Sequence, residues 1–255
     1  MIRRLVGTVA FLGAAVGAGA AAYAFVARPW HLRWGATPDE IERSMPGDDY
    51  ILFPRVNATH AVSIMARAAD VWPWLVQIGR SRGGFYSYDW LENSVAGLDI
   101  HSADQVLPEH QALNVGDKVL LAPETALTVA SIEPPVSLVL TGTIDMRTGK
   151  MADRDDPEVK GYVDASWAFL LDERDHPDGF VTRLVARFRA DYTPEPWMHV
   201  AARAMLEPAH FAMERKMLLG IKERAEAGQI PGEVPAPKGA ETPAEAPAAE
   251  EGPAS

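Results

Sequence analysis

The chain of 255 residues contains no cysteine. Disulfides, thiolate nucleophiles and cysteine-ligated zinc or iron–sulfur centres are excluded, and the redox compartment stays open. Positive charge is also scarce: 24 Lys and Arg stand against 35 Asp and Glu, a net charge of −11. Sequence-independent nucleic-acid binding needs a basic surface to neutralise phosphates, so no nucleic-acid partner is expected. The sequence has no phosphate-binding glycine loop, no nucleophile elbow and no H-E-x-x-H helix. No metal site and no cofactor are expected. Residues 231–255, PGEVPAPKGAETPAEAPAAEEGPAS, lack aromatics. They cannot bury enough apolar surface to offset ordering entropy and are predicted to be disordered.

Leu5–Ala27 lacks any charge and follows the basic start MIRR. As a helix it would be roughly 34 Å long, enough to cross a hydrocarbon core. It predicts a single-pass membrane anchor. The competing reading is a secretory signal peptide, with Ala22-Tyr23-Ala24 as its cleavage site. Gly13 and Gly17 have the G-x-x-x-G spacing of a weak helix–helix contact, which a Gly/Ala-rich run also produces by chance. Arg3, Arg4 and the amino terminus precede the span, and Arg28 and Arg33 follow it. That balance slightly favours an exported domain. The organisation is then a basic terminus (1–4), an anchor (5–27), an irregular arm rich in Pro, Trp and Arg (28–56), one domain (57–228) and a tail (229–255).

Within the domain, NATHAVSIMA alternates as a strand with His60, Val62 and Ile64 on one face. ARAADVWPWLVQIG reads as a short helix with Pro73 in its first turn and Gly79 at its end. DWLENSVAG reads as a second, closed by Gly97. Strands follow in ALTVASIE, SLVLTGTI and YVDASWAFLLDE. In FVTRLVARFRAD, Phe180, Thr182, Leu184, Ala186 and Phe188 share one face. Arg183, Arg187 and Arg189 share the other, which is expected to meet water. Thr193 to Gly228 predicts a long closing helix, capped by Thr193 with Pro194 at its first position and kinked at Pro208. The fold class is α+β, with the long helix covering a sheet.

Several motifs carry a resemblance: WGAT (Trp34–Thr37), PGD (Pro46–Asp48), VWPWLVQIG (Val71–Gly79), RGGFYSYDWLEN (Arg82–Asn93), PEHQ (Pro108–Gln111), VGD (Val115–Asp117) and MERKMLLGIKERAE (Met213–Glu226). Together they resemble the SRPBCC superfamily, which holds START lipid-transfer domains, polyketide cyclases and birch-pollen-allergen relatives. The nearest likeness is to a bacterial, often membrane-anchored branch without an assigned function. The resemblance implies a helix-grip fold: a curved antiparallel sheet wrapped around the C-terminal helix, two short helices after the first strand, and an apolar cavity. It does not imply a substrate.

Gly79, Gly83 and Gly84 precede Tyr86, Tyr88 and Trp90, three aromatics at alternate positions. They read either as a rim that stacks on a ligand or as packing for the short helices. With Trp167 and Phe188 they are the candidate ligand-binding residues. Candidate proton-transfer residues are His60, Tyr88, Glu92 and His101, with Asp99, Glu109 and His110 nearby in sequence. On the last helix, Trp197, Ala201, Ala204, Phe211 and Leu218 read as core. Glu207, His210 and Glu214 share a face that reads as solvated. Three functions compete: a membrane-tethered domain binding an apolar small molecule or lipid, a cyclase-, aromatase- or dehydratase-type enzyme, and an interaction module whose interior is filled.

Overall fold

The computed structural model of the chain describes residues 18–19, 21–96 and 99–228, and within that range not the side chains of residues 91, 92, 95 and 96. Most of Leu5–Ala27, Gly13 and Gly17 included, and residues 229–255 lie outside the described residues. Among the described residues no helix is long and apolar enough to cross a membrane.

In chain order, a π-helical turn Tyr23–Ala27 runs into α1 (Arg28–His31), followed by α2 (Pro38–Glu42) and β1 (Val56–Ile64). The short helices α3 (Ala68–Val76) and α4 (Asp89–Ala96) come next. Then follow β2 (Lys118–Leu120), β3 (Ala126–Glu133), β4 (Ser137–Asp145), β5 (Tyr162–His176) and β6 (Gly179–Tyr192). The chain closes with α5 (Pro196–Ala201), a second π-helical turn Ala202–Leu206 and α6 (Glu207–Ala227). The six strands form one antiparallel sheet in the order β1-β6-β5-β4-β3-β2. It is curved, and α6 lies across its inner face against β1 and α3. Leu138, Leu140, Phe169 and Leu184 from the sheet and Met217, Leu218 and Ile221 from α6 are fully buried there.

The outer face of the sheet differs from the expectation of a wet surface. The 28–56 arm covers it. Thr59 and Ala61 of β1 donate backbone hydrogen bonds to Leu32 and Trp34 of the arm at 2.8 and 3.1 Å. Met45 packs on Ala61, Val139, Ala168 and Val185 as a second small core. Arg187 is only 3% exposed. Its guanidinium donates to the carbonyls of Glu40, Ile41 and Arg43, to Thr59 Oγ1 and to Asp48 Oδ2, the last at 2.7 Å. Five donors in a planar fork suit this convergence of acceptors. Arg183 grips Glu40, at 2.7 and 2.9 Å. The arm is therefore ordered by the arginines that alternation alone assigned to solvent.

Helix ends also depart from expectation. Thr193 does not cap the last helix; its Oγ1 accepts from the Tyr162 backbone N–H, and the helix starts at Pro196. Glu173 accepts from the N–H of Ala68 at 2.6 Å and fixes the start of α3 there, so Pro73 falls inside that helix. Around Pro208 the helix departs from regular α spacing. Pro208 has no N–H to offer Ala204, and the preceding turn widens to π spacing, with Glu207 N–H reaching Ala202 O.

Two outcomes follow. Arg187→Met is expected to lower unfolding free energy by about 3–5 kcal/mol in urea melts, because Asp48 and several buried carbonyls lose their donor. Glu40 yields a pH signature. Burial raises its carboxyl, but Arg183 and the Thr37 N–H outweigh that and hold it at about 2 against an ordinary 4.5. A depressed carboxyl contributes stability above its unfolded value that is lost as pH falls through the folded one. The acid limb between about pH 4.5 and 2 is thus expected to be shallower in Glu40→Gln than in wild type.

Candidate functional site

Between the inner face of the sheet and the α5–α6 helix lies a cavity of about 710 Å³. It lies where the helix faces β4–β6, beside the contact that α6 makes with β1. Its walls are almost wholly apolar and include five methionines, Met146, Met198, Met205, Met213 and Met217. Unbranched thioether side chains adapt their shape to a guest. Met205 is 71% exposed and marks an open side.

The ionisable exception is a group of side chains centred on Glu214 of α6. Glu214 lines the cavity yet is only 2% exposed. Its Oε2 meets Nδ1 of His60, and its Oε1 accepts from Nε1 of Trp167. His60, wholly buried on β1, also donates from Nε2 to the carbonyl of His31 at 2.7 Å. The carbonyl can only accept, so Nε2 carries a hydrogen, and the carboxylate at Nδ1 favours the cationic ring. Burial opposes that charge, but Glu214 and the His31 carbonyl win, and the His60 value is raised. Burial likewise opposes the Glu214 charge, and His210 and His60 overcome it, holding the carboxyl well below the usual range. His210 lines the cavity beside Glu214, with its Nε2 at 3.4 Å from Oε2, and stacks on Phe188 with ring centres 4.1 Å apart.

The candidates from sequence divide clearly. Trp167 and Phe188 line the cavity. Tyr86, expected at a rim, is 2% exposed, and its hydroxyl donates to the Trp74 carbonyl at 3.1 Å. Burial pushes its phenol up to about 12, which removes it from proton transfer near neutrality. Tyr88 is half-buried and Trp90 is 68% exposed, and neither lines the cavity. The reason is local. Tyr86 adopts φ 54°, which breaks the alternation and turns Phe85 and Ser87 to the cavity instead. Gly220 on α6 makes room for this turn, since a Cβ there would sit 2.6 Å from Tyr86 O. The remaining polar groups of the stretch hold α4 to the next loop: Asp89 binds Ser102, and Asn93 exchanges two hydrogen bonds with Ile100.

His101 is exposed beside Asp99 and apart from the cavity. The side chain of Glu92 lies outside the described residues. Glu109 is exposed, and neither it nor His110 reaches the cavity. His60 belongs to the polar cluster but sits behind Glu214 and is not part of the cavity wall. The face of Glu207, His210 and Glu214, expected in water, is the buried one. Glu207 is 2% exposed and pairs with Arg28 at 2.7 and 2.8 Å. A signal for this was present. Positions 207, 210, 214, 217 and 221 recur at steps of three and four, which puts the polar three in line with Met217 and Ile221.

No protein-family model and no curated protein matches the chain. Among solved structures it is similar to a conserved protein from Geobacillus kaustophilus, at 14% identity over 67% of this chain and 95% of that one, with a TM-score of 0.35. It is similar to the Aha1 dimer from Colwellia psychrerythraea, at 14% identity over 68% and 98%, TM-score 0.35. A third likeness is to major latex-like protein 151 from Panax ginseng, at 12% identity over 67% and 95%, TM-score 0.28. Likenesses this distant say nothing about the site. The site's own geometry defines a helix-grip domain with an apolar cavity and an ionised floor.

Tyr86 and Trp90 make opposite predictions. Tyr86→Ala is expected to cost about 3–5 kcal/mol, the range for a buried aromatic. Trp90→Ala is expected to change stability by less than about 0.5 kcal/mol, as for an exposed side chain. Paired denaturant melts check both.

Proposed function

We propose that this protein is a membrane-tethered binding domain that shelters an apolar small molecule or lipid in the cavity between sheet and helix. The observation that carries the reading is the cavity itself. About 710 Å³ falls within the range of small-molecule sites, and apolar walls with few convergent polar groups are their usual form. Burying an apolar guest there gains roughly 25 cal/mol per Å² removed from water. His210 and Glu214 supply the polar end that orients it.

The tether is the uncharged run Leu5–Ala27, and the cavity mouth supports it. The π-helical turn Tyr23–Ala27 that ends that run packs on the α5–α6 junction. The hydroxyl of Tyr23 donates to the Arg203 carbonyl, and Arg28 pairs with Glu207. Phe25, Val26, Val200 and Met205 on these two packed segments are all more than half exposed. An apolar surface beside the open side of the cavity fits a bilayer that both anchors the domain and supplies its ligand. The arginine balance around the run favours the exported side by a small margin.

One observation favours proton-transfer chemistry as a second reading: ionisable groups, Glu214 and His210, reach the cavity wall. A cyclase-like role would then rest on them rather than on Tyr88 or His101. Native mass spectrometry of protein purified from its own host separates the readings, since a retained lipid marks a carrier and a retained cyclisable precursor or its product marks an enzyme.

Phenylnaphthylamine, an uncharged fluorescent probe, is expected to bind the wild type. Ala165→Phe, which adds a ring to the cavity wall, is expected to abolish that binding with its circular dichroism unchanged. Equal binding by a folded Ala165→Phe variant would place the probe elsewhere and remove the support for a cavity ligand.

A further inference from the structure

We propose that His60, His210 and Glu214 form a site for one first-row divalent transition-metal ion, of the Zn²⁺ or Co²⁺ class, at the floor of the cavity. The three come from different places, His60 from β1 and the other two from successive turns of α6. One ligand atom from each lies within 4.8 Å of the others, and among the described residues this is the one such group. Two imidazoles and a carboxylate form a borderline donor set that suits zinc, cobalt or ferrous iron better than calcium or magnesium.

The surroundings are those that a metal site requires. A ligating histidine ordinarily donates its other ring N–H to a carbonyl or carboxylate, which fixes the tautomer. His60 does so, with Nε2 on the His31 carbonyl at 2.7 Å, and Nδ1 faces the shared space. The second carboxylate oxygen of Glu214 is held by Trp167 Nε1, which leaves the first to face that space as well. Phe188 stacks on the His210 ring and sets its plane. His210 Nε2 is buried and makes no hydrogen bond of good geometry among the described residues, only the loose ion pair with Glu214 at 3.4 Å. Between apolar walls, an imidazole nitrogen whose nearest polar atom is a carboxylate oxygen 3.4 Å away is poorly satisfied. A cation between the three satisfies it and replaces the Nδ1 proton of His60.

Three protein ligands leave at least one coordination position open. His210 and Glu214 line the cavity and His60 lies behind them, so the open position faces the guest. A bound ion would offer that guest an anchor for a carboxylate, hydroxyl or carbonyl oxygen, or hold a water molecule. This inference does not depend on the ligand being apolar or on any membrane tether. Failure of probe binding and failure of metal binding are separate results.

The test uses the untagged full-length protein, stripped of metal and titrated with Zn²⁺ by calorimetry. One equivalent is expected to bind. His210→Ala is expected to weaken that binding by more than about tenfold, the effect that even an outer-shell partner often has. His210 is partly exposed at the cavity wall, so this variant is expected to keep its circular dichroism. Absence of stoichiometric Zn²⁺ uptake by the wild type would overturn the proposal. So would unchanged uptake by His210→Ala, which would place the ion on surface histidines. Co²⁺ loading of the wild type gives a reading that needs no variant. Intense visible absorption from a four- or five-coordinate ion is expected, and the weak spectrum of a six-coordinate, water-ligated ion would sink the idea.

Discussion

The buried carboxylate of Glu214 imposes a demand that much of the inner structure answers. An ionised group removed from water must recover its lost solvation from fixed donors. Here the donors come from β1, through His60, and from β5, through Trp167. His60 in turn needs an acceptor for its other nitrogen and takes it from the backbone of α1. One carboxylate on the last helix therefore sets the seating of that helix on the sheet and draws the segment before β1 into the same network. This kind of buried pair adds little net stability, since desolvation absorbs most of the attraction. Its effect is on registry, because a helix shifted by one turn would leave charges unpaired.

Arg187 makes the corresponding arrangement on the other side of the sheet. It lies on β6, whose inner-face residues reach the cavity through Phe188, and it organises the outer layer through carbonyls of the arm. The sheet is thus buried on both faces in its β1 and β6 region. Successive residues of one strand, Arg187 and Phe188, serve the two layers, as the two-residue period of a strand requires. The arm and the domain are one packed unit for this reason, and α1 and its preceding turn are placed against the α5–α6 junction.

The cavity reflects a balance between these constraints. The helix is held to β1 by the polar network, and a π-helical turn just before Pro208 absorbs the missing N–H. The space there is lined by five methionines beside the branched chains of Leu121, Leu127, Ile144, Val163 and Leu206. In the proposed role such a wall would accept guests of several shapes, and the polar floor would select among them by polarity and charge. Binding, an open metal position and proton transfer are compatible roles for one floor, because each needs the same convergent imidazoles and carboxylate beneath an otherwise dry pocket.

The sequence by itself determined the element order, the α+β class and the long closing helix, because alternation at two residues and recurrence at three to four are local patterns that packing reinforces. It also placed Trp167 and Phe188 on the inner face of the sheet. It left the Arg82–Asn93 stretch open between rim and packing, because a positive φ at Tyr86 is a backbone event that Gly220 permits from far along the chain. It assigned Arg187, Glu207 and Glu214 to water, since a charged residue is ordinarily solvated and no local pattern reveals that an arm or a sheet will cover it. Only the tertiary structure brought His60 beside His210 and Glu214, about 150 residues away in sequence, with the residue separation of 154 between His60 and Glu214 closed by one antiparallel sheet and the helix it grips. Contacts of that separation are decided by the packing of whole layers, and the chemistry of the site follows from them.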